Sequence, residues 1–114
     1  MMVQKLYKIC EALEVRFPGM SDPFRILARL MEECGELADQ VHIREGVGRK
    51  REMHGSPDDD HLAKELQDIM TAVLDMARHY GIEETLKAKI DAGYRRAVGE
   101  GLIKPLENDK PGEN

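Results

Sequence analysis

Two short acidic patterns constrain what this chain can become. One is Glu32-Glu33-Cys34-Gly35-Glu36-Leu37 and the other is Glu65-Leu66-Gln67-Asp68. Each sets two carboxylates three residues apart, Glu33 with Glu36 and Glu65 with Asp68, and on a helix such residues share one face. Both patterns sit inside apolar stretches of helical period. Four carboxylates on two packed helices repel one another unless a cation lies among them. Hard divalent ions choose oxygen ligands of this kind, Mg²⁺ first and Mn²⁺ as a substitute. Glu33, Glu36, Glu65 and Asp68 are therefore candidate metal ligands on a helical bundle. The competing reading is a solvated acidic face, and repetition of the geometry on a second helix counts against it.

The 114 residues suit one domain, placed at residues 1–103, large enough to bury a core without staples. With 41% hydrophobic and 34% charged residues the chain reads as ordinary and globular, and its net charge of -5 argues against a general nucleic-acid binder. Cys10 and Cys34 fall at apolar helical positions without CxxC spacing. They read as small buried hydrophobes in a reducing compartment rather than zinc ligands. The sequence has no continuous apolar signal region and no run near the ~20 residues of a membrane span, so the expected location is the cytoplasm and no membrane partner is expected.

The periodicity predicts four helices. Leu6, Ile9, Cys10, Leu13 and Phe17 form the stripe of the first, over residues 2–17, and Pro18-Gly19 ends it. Asp22-Pro23 opens the second, whose stripe is Leu27, Leu30, Cys34, Leu37 and Val41, with Glu33 and Glu36 on its flank. Residues 44–55 read as a loop that gathers Arg44, Arg49, Lys50 and Arg51, either solvated or reaching the metal site. Ser56-Pro57 opens the third helix, with Ser56 as cap, and Leu62, Leu66, Ile69, Val73, Ala77 and Tyr80 form its stripe, widened by Met70 and Leu74. The fourth runs from Ile82 to about Val98, with Leu86, Ile90 and Ala97 as its apolar face, and residues 104–114 read as a frayed tail. The fold class is all-α, a four-helix bundle. The width of the third stripe predicts assembly as a homo-oligomer.

A divalent-ion carboxylate site beside basic side chains points to hydrolysis of a polyphosphate, with lysines and arginines gripping terminal phosphates. Glu32 is not needed as a ligand and could orient or deprotonate the attacking water. The histidines, His42, His54, His61 and His79, show no paired ligand spacing. A di-iron carboxylate bundle would need two Glu-x-x-His motifs, and the chain has none. A helical oligomer that binds nothing is the non-enzymatic alternative.

Leu30-Met31-Glu32-Glu33-Cys34-Gly35-Glu36-Leu37-Ala38, followed by Lys64-Glu65-Leu66-Gln67-Asp68-Ile69-Met70, resembles the EExxE and ExxD signature of the MazG-type all-α nucleoside triphosphate pyrophosphohydrolases. The resemblance covers about residues 20–98. It implies a helical dimer or tetramer that uses Mg²⁺ to cleave between the α and β phosphates of a nucleotide, giving a monophosphate and pyrophosphate. It implies that Glu33, Glu36, Glu65 and Asp68 match the metal ligands and Glu32 the leading glutamate. Basic residues of the last helix touch phosphates in that family; Lys87, Lys89, Arg95 and Arg96 occupy the region here, and Arg44 is a further candidate. The dCTP-preferring branch carries an aromatic residue where Val41-His42-Ile43-Arg44 stands, so this chain departs from it. The phosphoribosyl-ATP pyrophosphohydrolases share both motifs and are the alternative, as are the dUTP-hydrolysing relatives.

Overall fold

The computed structural model describes residues 2–46 and 57–109. Among them are four α-helices and no strand: α1 (Met2–Arg16), α2 (Pro23–Glu45), α3 (Asp59–His79) and α4 (Glu83–Gly99), with a 3₁₀ turn at Glu107–Asp109. The all-α expectation holds. The chain divides into two compact units, one ending at Gly81 with α1 to α3 and one starting at Ile82 with α4.

Local chemistry sets the helix ends. Asp22 caps α2: its Oδ1 accepts from the backbone N–H groups of Phe24 and Arg25, both at 3.0 Å. Pro23, which has no N–H to satisfy, takes the first helical position. Gly46 ends α2 at φ +68°, a conformation a Cβ would disfavour. Arg44 therefore lies on the last turn of α2 rather than in a loop. Arg49, Lys50, Arg51, His54 and Ser56 lie outside the described residues. The cap of α3 is Asp58, whose Oδ1 accepts from Asp60 N–H at 3.0 Å, so Pro57 precedes the cap instead of opening the helix. A carboxylate there also suits the positive end of the helix dipole.

In the first unit α2 and α3 run antiparallel. Arg29 meets Asp75, Gln40 meets His61 and Arg44 meets Asp59, so α3 descends as α2 ascends. α1 lies on α3, where the Cys10 thiol donates to Thr71 O at 3.4 Å and Arg78 pairs with Glu14 at 3.0 Å. The core is small: Leu6, Cys10, Ile26, Ile43, Ala72, Leu74 and Ala77 are its buried apolar residues among those described. A polar knot locks the three helices. Asp75, buried on α3, accepts from Arg29 of α2 at 3.1 Å and from Arg78 at 3.3 Å, and Arg78 reaches on to Glu14 of α1.

The predicted stripes are rotated relative to this core. Leu27, Cys34 and Val41 of α2 are exposed, and so are Leu66, Met70, Val73 and Tyr80 of α3. Cys34 is thus not a buried hydrophobe, whereas Cys10 is. The inward line of α2 runs instead through Ile26, Leu30, Glu33, Leu37, Gln40 and Ile43, which places Glu33 between the helices rather than on a flank. Partners explain the difference. Asp75 is buried against two guanidinium groups, and Glu33 and Glu65 are turned toward each other, so polar residues occupy positions that the periodicity reserves for apolar ones.

In the second unit Glu83 and Glu84 occupy the first turn of α4. The Tyr94 hydroxyl accepts from Leu106 N–H at 2.6 Å, so the segment after the helix is tethered as far as the turn at Glu107–Asp109, not frayed from residue 104.

Candidate metal centre

The i, i+3 spacing sends Glu33 and Glu36 off one side of α2, and the antiparallel crossing brings Glu65 of α3 against them. Ligand oxygens of Glu33, Glu36 and Glu65 all lie within 4.8 Å of one another. Glu65 is buried, Glu33 is half-buried and Glu36 is exposed, so the cluster opens from the helix interface toward solvent. Neither Glu33 Oε2 nor Glu65 Oε2, both inaccessible to water, meets an N–H or O–H donor. Two facing carboxylates can be satisfied only by a shared proton or by a cation.

The electrostatics record this. Burial, the contact with Glu65 and the negative charges of Glu36 and Asp68 push the Glu33 carboxyl up to about 8 from an ordinary 4.5. For Glu65, the contact with Glu33 acts to lower the value, but burial, Glu36 and Asp68 outweigh it and the group is raised as well. A site that holds protons this tightly offers high-field oxygens to a divalent ion once they leave.

Asp68, the fourth predicted ligand, stands outside the close trio. Its Oδ2 is held by Lys64 Nζ at 2.9 Å one turn back on α3. It remains near enough to act on Glu33, and both line a cavity of about 380 Å³ with Leu13, Phe17, Met20, Arg29 and Thr71. A second cavity of about 370 Å³ reaches the trio from the other end, lined by Glu36, Asp39, Gln40, Asp58, His61 and Glu65. The acid cluster thus sits between two openings. Glu32 is exposed on α2, one helical turn before Glu36 and therefore beside it.

The predicted phosphate-binding cations are more scattered. Arg44 pairs with exposed Asp59 at 2.8 Å. Lys87, Lys89, Arg95 and Arg96 are exposed on α4, in the second unit, and Arg96 pairs with Glu100 at 3.1 Å. The cation that lines the same cavity as Glu33 and Asp68 is Arg29. Sequence reasoning gave Arg29 no role, although its place four residues before Glu33 is the available signal. It also missed His61, whose Nε2 lies 3.5 Å from Glu65 Oε1 while Nδ1 lies 3.4 Å from Gln40 Nε2. The i, i+4 relation to Glu65 was legible, but a search for paired ligand spacing passes over it. Phe17, expected in the core, is a half-exposed cavity wall.

No described helix is long and apolar enough to cross a membrane. A family model described as the MazG nucleotide pyrophosphohydrolase domain matches residues 22–96, more than half of the chain. No curated protein and no solved structure matches it.

Proposed function

Since the chain belongs to the MazG nucleotide pyrophosphohydrolase family, we propose that it hydrolyses nucleoside triphosphates with Mg²⁺, breaking the bond between the α and β phosphates and releasing a nucleoside monophosphate and pyrophosphate. One observation carries the metal: two buried carboxylate oxygens, Glu33 Oε2 and Glu65 Oε2, have no donor and face a third carboxylate, Glu36. This donor set is all oxygen and anionic, which fits Mg²⁺ or Mn²⁺ and fits soft metals poorly. Glu33, Glu36 and Glu65 would hold the ion, and Asp68 would join them by releasing Lys64.

When bound, the ion offsets charge on the phosphate oxygens and makes a coordinated water more acidic. The other work falls to the chain. Glu32, beside Glu36 and open to solvent, takes the proton of the attacking water. Arg29 is fixed by Asp75 and turns its remaining guanidinium N–H groups to the cavity, where they bind phosphate oxygen. Leu13, Phe17 and Met20 give that cavity an apolar wall for the nucleoside. Lys87, Lys89, Arg95 and Arg96, with Arg44, stay candidates for phosphate contacts on the strength of the family resemblance. A cytoplasmic setting suits the two free thiols.

The test is incubation with Mg²⁺ and a panel of ribo- and deoxyribonucleoside triphosphates, with products identified by mass. Monophosphate with pyrophosphate is expected from the native chain. Glu36→Gln is expected to lose turnover on the order of 100-fold or more while keeping its helical spectrum. Orthophosphate as the product, or full activity of Glu36→Gln, would refute the assignment.

A further inference from the structure

His61 stands beside the acid cluster and takes no part in the proposed reaction. It lies on the first turn of α3, one turn before Glu65, and its ring spans two helices. Nε2 is 3.5 Å from Glu65 Oε1, and Nδ1 is 3.4 Å from the side-chain nitrogen of Gln40 on α2. The ring also lines the cavity of about 370 Å³ that Glu36 and Glu65 share. An ordinary i, i+4 pair on a helix surface would explain the contact with Glu65 and nothing more.

Three features go beyond such a pair. Glu65 is only 4% exposed, and one of its oxygens meets the imidazole; the other, Oε2, is buried without a donor, and the carboxylate belongs to the trio with Glu33 and Glu36. Glu65 is thus shared between the trio and the ring. Next, 3.5 Å is close to the separation of two neighbouring donors on one octahedral ion, ~3 Å for ligand bonds of ~2.1 Å. Last, Gln40 can fix the tautomer. A half-turn of its amide puts oxygen where nitrogen stands, and that oxygen accepts from Nδ1–H. Nε2 then carries the lone pair, on the side of the ring that faces Glu65. A metal-binding imidazole is held in this way, with its far N–H donated to a neighbouring oxygen. Asp58 lines the same cavity but is engaged as the cap of α3, so it is not needed as a ligand.

We propose that His61, held by Gln40, is a nitrogen ligand to the ion bound by Glu33, Glu36 and Glu65, and that it makes the centre prefer Co²⁺, and less strongly Mn²⁺, over Mg²⁺. The inference rests on the carboxylate centre proposed above and adds a donor to it. Three carboxylates alone make a hard set that suits Mg²⁺ well. One imidazole changes the order, because affinity for nitrogen rises along the first transition row while Mg²⁺ keeps to oxygen. Mg²⁺ still binds, through the carboxylates. The two cavities keep the roles apart. Arg29 and the apolar wall of Leu13, Phe17 and Met20 line one, and His61 lines the other, so the ring reaches the centre from the side away from the proposed nucleotide cavity.

Calorimetry of the metal-free chain with Co²⁺, Mn²⁺ and Mg²⁺ tests this without any substrate. The native chain should bind Co²⁺ most tightly and Mg²⁺ least. His61→Ala should weaken Co²⁺ binding roughly 10- to 100-fold, leave Mg²⁺ binding within about twofold, and keep the helical spectrum because the ring is exposed. Gln40→Leu should weaken Co²⁺ binding roughly tenfold, since the ring loses the group that fixes its tautomer. Pulsed electron paramagnetic resonance of the Mn²⁺-loaded native chain should show coupling to an imidazole nitrogen, and His61→Ala should lose it. A native Mn²⁺ signal without nitrogen coupling, or a His61→Ala variant with the native ratio of Co²⁺ to Mg²⁺ affinity, would overturn the ligand while leaving the carboxylate centre intact. Failure of all three ions to bind the native chain would overturn the centre itself and this inference with it.

Discussion

Glu33 carries the sharpest chemical consequence at the residue scale. Unfolded, its carboxyl loses a proton near 4.5; folded and metal-free, it keeps that proton to about 8. Between those values the folded chain binds the extra proton, so stability of the metal-free protein should fall as pH rises from about 4.5 to about 8, then level off. Glu65 is shifted in the same direction. A divalent ion needs the ionised forms, so its stabilising effect should grow over the same interval and binding should release protons. Thermal melts with Mg²⁺ or chelator at pH 5.5, 7 and 8.5 measure both trends. A metal effect that shrinks with rising pH would mean the ion binds elsewhere. Arg29 belongs to this scale too: Arg29→Gln should raise KM roughly tenfold, with a smaller change in kcat, because one charge-assisted hydrogen bond to the substrate is lost. Steady-state kinetics separate this from a folding defect, which would lower the active fraction and leave KM alone.

Among elements, the sequence announced where helices begin and end more clearly than which way they face. Asp22-Pro23 marks a start that backbone chemistry enforces, and it was readable, whereas α2 runs on through Arg44 and Glu45 to Gly46, past the point where the sequence reading began a loop. The start of α3 was misplaced because Ser56-Pro57 and Asp58 are both competent opening signals and the carboxylate prevailed. Facing failed for a different reason. Periodicity sends the most apolar stripe inward, but here Asp75, Glu33 and Glu65 hold the inward positions and Leu27, Met70 and Val73 look out. The acidic pair Glu33 and Glu36 was legible because i, i+3 spacing alone brings them together, whereas Arg29 meets its partner Asp75, and His61 its partner Gln40, only once α2 and α3 cross. Two substitutions weigh the two kinds of interior. Ile26 is fully buried, and Ile26→Ala should cost about 3 kcal/mol in denaturant unfolding. Asp75→Ala strands two part-buried guanidinium groups and should cost about as much. An Asp75→Ala variant as stable as the parent would show that the knot only orients Arg29.

For the molecule as a whole, packing and the candidate site are separable. The knot of Asp75, Arg29, Arg78 and Glu14 and the apolar core around Ile26 and Leu74 stand without an ion. Chelation should therefore abolish turnover and leave the far-ultraviolet spectrum unchanged; unfolding on chelation would make the ion structural. One detail of the packing also gives the chain a clock. Burial first, and the nearby Asp75 charge, push the Cys10 thiol up to about 11. With its Sγ against Thr71 it cannot react until α1 lifts from α3. Its labelling rate under native conditions thus counts those lifting events. Comparing that rate with global unfolding would tell whether the first helix comes away alone or only when everything does.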